Sequence, residues 1–166
     1  MKRIVLGLLI VFTFWITGES AFAEPAPDPQ SAPDFEFKSL SGEVISKKSL
    51  AGKHVLLMFW ASWCGVCQRE LPKLKALYEE TKGEKISILA VGVHDKQSNI
   101  INYVSSHSDI FTFPVAFDAR NEAPESFGIR GVPKFVLLDK DGAIVMVHTG
   151  GGFMQNPAMM KLIQAM

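Results

Sequence analysis

The sequence predicts an α/β protein with a mixed central sheet flanked by helices. Two near-continuous apolar runs, residues 54–60 and 86–93, have the composition of strands that are buried on both faces. Between them, residues 67–78 carry leucines at helical spacing, and charged side chains largely occupy the other faces. Gly83 is expected to end this helix. A buried strand, a helix and a second buried strand in this order predict a parallel βαβ unit.

Weaker patterns on either side complete the predicted sheet. Residues 34–45 alternate phenylalanine with charged residues and contain a Ser-Gly turn, which indicates a β-hairpin. The turn at 139–142 predicts a second hairpin near the end of the chain. The other predicted elements are helices at 97–106, 121–127 and 157–165, and strands at 114–117, 135–138 and 143–148.

The first 23 residues are expected to be an export signal and not part of the fold. Two basic residues precede an apolar run at 4–16, and the Ala-Phe-Ala tripeptide at 21–23 fits the small-residue cleavage pattern. Cleavage is therefore expected before Glu24. An uncleaved anchor is the alternative, but the run is shorter than the roughly 20 apolar residues that span a bilayer.

The rest of the chain predicts one domain behind a short spacer. Residues 24–33 contain four prolines, which indicates an extended, mobile segment, so the domain is expected to cover residues 34–166. The whole chain has 17 basic and 17 acidic residues. This balance gives no reason to expect binding to nucleic acid.

The only two cysteines, Cys64 and Cys67, stand where the first buried strand gives way to the helix. At a helix start, this spacing puts both sulfurs on one face, close enough to bond. The amino end of a helix also favours a thiolate over a thiol. The pattern predicts thiol–disulfide exchange. A zinc site, which would need further ligands, and a structural disulfide, which would add little stability across so short a loop, are the alternatives.

Three stretches resemble the extracytoplasmic TlpA/ResA-like group of thioredoxin-fold proteins. They are residues 50–64, which lead to the first cysteine, residues 67–72, which include a proline five positions after the second cysteine, and residues 127–133, which end in a proline. The resemblance covers about residues 34–150. It implies a thioredoxin fold with an N-terminal β-hairpin and a helix-strand insert at about 94–117, before the cis-proline segment.

The resemblance also implies how the cysteines work. Cys64 would attack a client disulfide, and Cys67, one turn later, would resolve the mixed disulfide. Pro133 would follow a cis peptide bond and pack against the sulfurs, and the backbone of Val132 would pair with an extended client segment. An ordinary turn proline is the alternative for Pro133.

Two further residues are candidates for the site, and one position departs from the family pattern. Trp63 is expected either to shield Cys64 and contact the client or to pack in the core. Glu70 is expected either to accept protons near Cys67 or to be a solvated residue near the helix start. Cytoplasmic thioredoxins bury an aspartate six residues before the first cysteine, where this chain has Met58.

The export signal and the Cys64/Cys67 dithiol together predict an exported thiol-disulfide oxidoreductase, which is periplasmic or otherwise extracytoplasmic. The resemblance suggests clients with cysteine pairs, such as apocytochrome c, and a membrane thiol protein as electron donor. Gly65 and Val66, between the cysteines, offer the thiolate no charge or side-chain donor, which favours a reducing potential. We expect a monomer that needs no cofactor.

Two other functions compete with this prediction. A copper chaperone would use Cys64, Cys67 and a histidine. A peroxidase is disfavoured, because peroxiredoxins have a threonine three residues before the reactive cysteine and this chain has Ala61.

Overall fold

The computed structural model describes residues 30–81 and 84–166. Seven strands occur within these ranges: β1 (Glu36–Ser39), β2 (Val44–Ser46), β3 (Val55–Trp60), β4 (Ser87–Gly92), β5 (Val115–Phe117), β6 (Lys134–Leu138) and β7 (Ile144–Thr149). The α-helices of the same ranges are α1 (Gly65–Thr81), α2 (Gln97–Ser106), α3 (Ala123–Ser126) and α4 (Pro157–Ala165). Short 3₁₀ helices lie at Lys48–Leu50 and Phe153–Gln155.

All these strands belong to one mixed sheet in the order β2-β1-β5-β4-β3-β6-β7. The three central strands, β5, β4 and β3, run parallel, and every other pairing is antiparallel. The predicted fold class is therefore confirmed. The predicted hairpin is β1–β2, and the predicted insert is α2 followed by β5, which enters the sheet between β1 and β4.

The core lies on both faces of the sheet, with β3 at its centre. Every residue of β3 is buried, and alternate side chains point to opposite faces. Met58 and Trp60 join the cluster that contains both cysteines, whereas Leu57 and Phe59 join the cluster on the other face. Burial on both faces explains why this strand appears in the sequence as an unbroken apolar run.

Helix α1 covers the face of the sheet that carries the cysteines. Leu71, Leu74 and Leu77 supply its buried stripe, and the helix runs through Pro72 to Thr81. The predicted helix end at Gly83 lies outside the described residues. So do the predicted export signal, residues 1–23, and residues 24–29 of the predicted spacer.

The last part of the expected spacer is packed on the domain. Ala32 is 2% exposed, and its N–H donates to the carbonyl oxygen of Gly142. The N–H of Ile144 donates in turn to the carbonyl oxygen of Gln30. Since β7 is the last strand of the sheet, its outer edge has free backbone groups for this segment to bind. The expectation of a mobile spacer up to residue 33 is therefore wrong for its final residues.

The predicted helix at 121–127 is shorter than expected. Asn121 has a left-handed backbone (φ 55°), and α3 forms a single turn. The carboxylate of Asp118 accepts the N–H of Ala123 at 2.8 Å and so fixes where the turn begins. A left-handed residue cannot continue an α-helix, which is why the helix starts two residues late.

Candidate active site

The two cysteines lie at the carboxyl-terminal edge of the parallel strands. β3 ends at Trp60, three residues of loop follow, and Cys64 directly precedes the first residue of α1. Cys64 and Cys67 form a disulfide, with 5.2 Å between their Cα atoms. Cys64 is 6% exposed and Cys67 is completely buried. An incoming thiolate or disulfide can therefore reach only the Cys64 sulfur.

Backbone groups surround the Cys64 sulfur. The N–H of Cys67 donates to Cys64 Sγ at 3.1 Å, because the first turn of α1 leaves its amide groups free of helical partners. The carbonyl oxygen of Val132 lies 3.5 Å from the same sulfur. A thiol could donate to that oxygen, and a thiolate would be stabilised by the N–H.

The segment of Val132 and Pro133 lies beside the Cys64 sulfur. Their peptide bond is cis, as expected, and Pro133 is buried. Val132 is half-buried and stands just before β6. The carbonyl of Pro133 accepts the N–H of Gly150 at 2.8 Å, which joins this segment to the loop after β7.

Trp63 lies on the surface beside Cys64. Its side chain is 64% exposed, and the indole N–H donates to the carbonyl of His94 at 3.1 Å. The alternative of core packing is wrong for Trp63, whereas Trp60 packs in the core against Tyr103 and Phe111, as expected. The residue directly before Cys64 therefore carries an exposed indole ring.

Glu70 is buried one turn after Cys67 and is only 3% exposed. Its Oε1 accepts hydrogen bonds from Lys73 Nζ at 2.8 Å and from the N–H of Gly152 at 2.9 Å. Burial raises the pKa of Glu70, but the hydrogen bonds from Lys73 and Gly152 and the charge of Lys73 outweigh it, so the pKa lies below its ordinary value. The alternative of a solvated surface glutamate is wrong, and the carboxylate is ionised at neutral pH.

Comparison with known proteins agrees with this arrangement. The profile of the AhpC/TSA family matches residues 29–147. The chain belongs to the AhpC/TSA family. A thiol-disulfide oxidoreductase ResA from Halalkalibacterium halodurans is 32% identical over 149 residues, which cover 89% of this chain and 82% of that protein. The thioredoxin-like protein YneN of Bacillus subtilis is 30% identical over 158 residues, covering 90% of this chain and 91% of that one.

Solved structures show the same likeness. The thioredoxin domain of a thiol-disulfide oxidoreductase from Bacteroides vulgatus is 25% identical with a TM-score of 0.70, and the match covers 81% of this chain and 96% of that one. The exposed lipoprotein thioredoxin Etrx1 of Streptococcus pneumoniae is 29% identical with a TM-score of 0.69, covering 81% of this chain and 100% of that one. The protein is thus a thiol-disulfide oxidoreductase with a thioredoxin fold and a Cys64–Cys67 pair.

Met58 occupies the position at which cytoplasmic thioredoxins bury an aspartate. Its side chain is fully buried in the cluster that contains both cysteines. The only buried charged residue among those that the structure describes is Glu70, which approaches from the helix instead of from the strand. The buried acidic residue of this chain therefore lies on α1, and the matching position on β3 is apolar.

Sequence reasoning missed Asp95, which binds the loop before Cys64. Its Oδ2 accepts the N–H of Ser62 at 2.8 Å and the hydroxyl of Ser62 at 2.6 Å. The signal was available: Trp60 and Gly92 are register partners at the ends of two parallel strands, so the residues that follow each strand meet at one edge.

The residues that the structure describes contain no group of three or more His, Cys, Asp or Glu side chains placed to hold a metal ion. The copper-chaperone hypothesis therefore gains no ligand set from them. In the same part of the chain, no helix is both long and apolar enough to cross a membrane.

Proposed function

We propose that the protein is exported and reduces disulfides in client proteins, with Cys64 as the attacking thiol and Cys67 as the resolving thiol. The observation that carries this proposal is the difference in burial between the two sulfurs. Cys64 retains 6% of its surface exposed, whereas Cys67 is completely buried. Export rests on the leader at residues 1–23, with cleavage before Glu24, and the relative Etrx1 is described as an exposed lipoprotein.

The proposed reaction begins with the reduced protein. The Cys64 thiolate attacks one sulfur of the client disulfide and forms a mixed disulfide, and the other client sulfur leaves as a thiolate and takes up a proton. The Cys67 thiolate then attacks Cys64 Sγ, which releases the second client thiolate. Two electrons pass to the client, and Cys64–Cys67 becomes the disulfide. A thiol protein at the membrane is the proposed donor that reduces this disulfide again.

The direction of electron flow follows from how weakly the thiolate is stabilised. Gly65 and Val66 carry no side-chain donor, and the ionised Glu70 carboxylate lies one turn after Cys67. A weakly stabilised thiolate favours a reducing potential. Arg69 acts in the opposite sense: its guanidinium Nη1 lies 3.9 Å from the position that a Cβ on Gly65 would occupy. Lys73 also offsets part of the Glu70 charge.

Proposed clients are exported proteins with cysteine pairs, apocytochrome c among them, bound in an extended form. Two observations support this proposal: the Val132 carbonyl oxygen lies 3.5 Å from the Cys64 sulfur, and the side chain of Trp63, the residue before Cys64, is exposed. The backbone of Val132 is proposed to pair with the client, and the Trp63 ring to cover it. We propose a monomer as the working form.

The roles of the cysteines are tested with two substitutions. Cys64→Ser should abolish disulfide reduction, and Cys67→Ser should accumulate covalent client complexes, because attack proceeds without resolution. The measurement is non-reducing electrophoresis of extracytoplasmic extracts, with the double variant as control. Complexes trapped by Cys64→Ser instead would reverse the assignment.

The direction is tested by equilibrating the protein with glutathione and following tryptophan fluorescence. We expect a potential near or below about −230 mV, in the reducing part of the range. A value near about −120 mV would make the protein an oxidant and overturn the proposed direction.

A further inference from the structure

Asp95 is bound on both of its carboxylate oxygens. Oδ2 accepts the N–H of Ser62 at 2.8 Å and its hydroxyl at 2.6 Å. Oδ1 accepts the N–H of Lys96 and the side-chain amide of Asn99, both at 2.8 Å. Half of these bonds therefore go to the loop that leads to Cys64, and half go to the start of α2. Asp95 ties the ends of two parallel strands together.

The site requires an ionised carboxylate. All four partners are donors, and each oxygen accepts two of them, so an amide nitrogen at either position would face donors. Burial raises the pKa of Asp95, but the hydrogen bonds from Ser62, Asn99 and Lys96 outweigh it and hold the pKa below its ordinary value. The isosteric asparagine can satisfy only one of the two oxygen positions.

Ser62 transmits this attachment to the first turn of α1. The Ser62 carbonyl accepts the side-chain amide of Gln68 at 2.8 Å, and the N–H of Cys64 donates to Ala61 at 3.1 Å. The loop is thus fixed at both ends while the N–H of Cys67 points at the Cys64 sulfur. The neighbouring residue, His94, supports the same arrangement, because its left-handed backbone (φ 53°) accompanies a carbonyl that accepts the Trp63 indole.

We propose that Asp95 is a positioning residue for Cys64: through Ser62 it holds the active-site loop so that the amide groups at the start of α1 face the Cys64 sulfur. The proposal rests on the proposed role of Cys64 as the attacking thiol, and it holds for either direction of electron flow. A loop fixed before the reaction stabilises the thiolate without reorganisation, which lowers the Cys64 pKa and speeds attack.

The sign of the effect separates positioning from charge. Asp95 is itself an anion, so if it acted on the thiolate by its charge, its removal would lower the Cys64 pKa. If it acts by holding the loop, its removal lets the amide groups turn away from the sulfur, and the Cys64 pKa rises. The charge hypothesis and the positioning hypothesis therefore predict opposite shifts of the Cys64 pKa.

The experiment compares Asp95→Asn with Asp118→Asn in the reduced, full-length mature protein. Asp118 is the matched control, because it follows β5 at the same sheet edge and its carboxylate accepts the N–H of Ala123 instead of a group of the cysteine loop. The pKa of Cys64 is read from the pH dependence of its alkylation, and exchange is followed with a small aromatic disulfide. Urea unfolding is measured in parallel.

We expect Asp95→Asn to raise the Cys64 pKa by about 0.5–1 unit and to slow exchange below that pKa about threefold to tenfold, because each unit is tenfold in thiolate. Asp118→Asn should leave both quantities unchanged even where it lowers stability. Ser62→Ala, which removes one of the four donors and keeps the backbone bond, should shift the pKa in the same direction by less, and it answers the question if Asp95→Asn does not fold.

An unchanged or lowered Cys64 pKa in Asp95→Asn would overturn the proposal, as would an equal effect of Asp118→Asn. If Asp95→Asn does not fold, an unchanged pKa in Ser62→Ala would overturn it. Failure of the assigned cysteine roles is recognised separately, since Cys64→Ser would then still exchange disulfides.

Discussion

Asp95 binds the loop before Cys64 and Glu70 lies one turn after Cys67, and the protein holds these two carboxylates in different ways. Asp95 accepts two hydrogen bonds on each oxygen, so every position around it is filled. Glu70 accepts its two bonds on Oε1 only, while Oε2 is buried without a partner among the described residues. Asp95 lies in a loop and is half-buried; Glu70 lies in a helix and is enclosed.

The difference suggests separate duties for two groups of the same chemistry. A saturated carboxylate has no capacity left for a reacting proton, so Asp95 suits a fixed, structural attachment. The unpartnered Oε2 of Glu70 costs free energy in a folded core, and Glu70 acts on its surroundings by its charge, which Lys73 partly offsets. Both carboxylates have a pKa below the ordinary value, so neither is a proton store at neutral pH.

The largest effect is expected when Lys73, which pairs with Glu70, is replaced. Lys73→Met leaves a buried carboxylate with the N–H of Gly152 as its remaining donor. We expect the free energy of unfolding at neutral pH to fall by about 2 kcal/mol, less than for a fully buried pair because Lys73 is 36% exposed. Urea denaturation at pH 7 and at pH 4.5 measures it. The loss should shrink at the lower pH, because without Lys73 burial raises the pKa of Glu70 and the carboxylate of the variant takes up a proton.

Lys75→Met is the matched control for this prediction. Lys75 pairs with Glu79 one turn further along α1, and both side chains reach solvent. Its removal should cost no more than about 0.5 kcal/mol. Equal losses in the two variants would mean that burial of Glu70 has no energetic consequence.

Both carboxylates should contribute to the loss of stability in acid, and Glu70→Gln removes the contribution of Glu70. Because each pKa is lowered on folding, the folded protein binds these protons more weakly than the unfolded chain does. Their stabilisation is complete above the ordinary carboxyl values of about 4 and is lost as the pH falls through the lower, folded values. Between pH 5 and pH 2.5, the Tm of Glu70→Gln should therefore fall less than that of the natural protein, by about 2–4 °C. Parallel Tm curves would place the acid sensitivity elsewhere.

The smallest expected effect is a change in the cysteine pKa values. Glu70→Gln removes a negative charge one turn from Cys67, so the cysteine pKa values should fall, by about 0.5 unit. Ultraviolet absorbance of the thiolates against pH measures this. The shift is opposite in sign to the one expected for Asp95→Asn. Shifts of the same sign in both variants would remove the distinction between a charge and an attachment.

Much of this site could be predicted because it is local in the chain. The strand before Cys64, the helix after Cys67 and the cis bond at Pro133 lie within short, specific stretches. The bond from Gly152 to Glu70 spans 82 positions, and the bond from Asp95 to Ser62 spans 33. Such contacts depend on how strands and loops pack, which periodicity does not reveal.

Two errors in the fold have the same origin. The residues before Asp34 look like a spacer because proline and alanine carry no periodic signal, yet the free edge of β7 binds them. The helix predicted at 121–127 looks longer than it is because its composition is helical, yet Asn121 takes a left-handed backbone. In the first place backbone groups from a distant strand override the local pattern, and in the second a single dihedral angle does so.

The register of β3 against β4 has a consequence for how the protein matures. Trp60 and Gly92 are partners at the ends of these strands, and the contact between Ser62 and Asp95 depends on that alignment. A slip of one residue would move the two loops apart by about 3.3 Å and turn the side chains of β3 to the opposite faces. A chain with both thiols present but its central strands misaligned would lack the bond between Ser62 and Asp95. If Asp95 positions Cys64 as proposed, such a chain would also lose the attachment that lowers the Cys64 pKa, and its thiol would exchange disulfides more slowly at neutral pH.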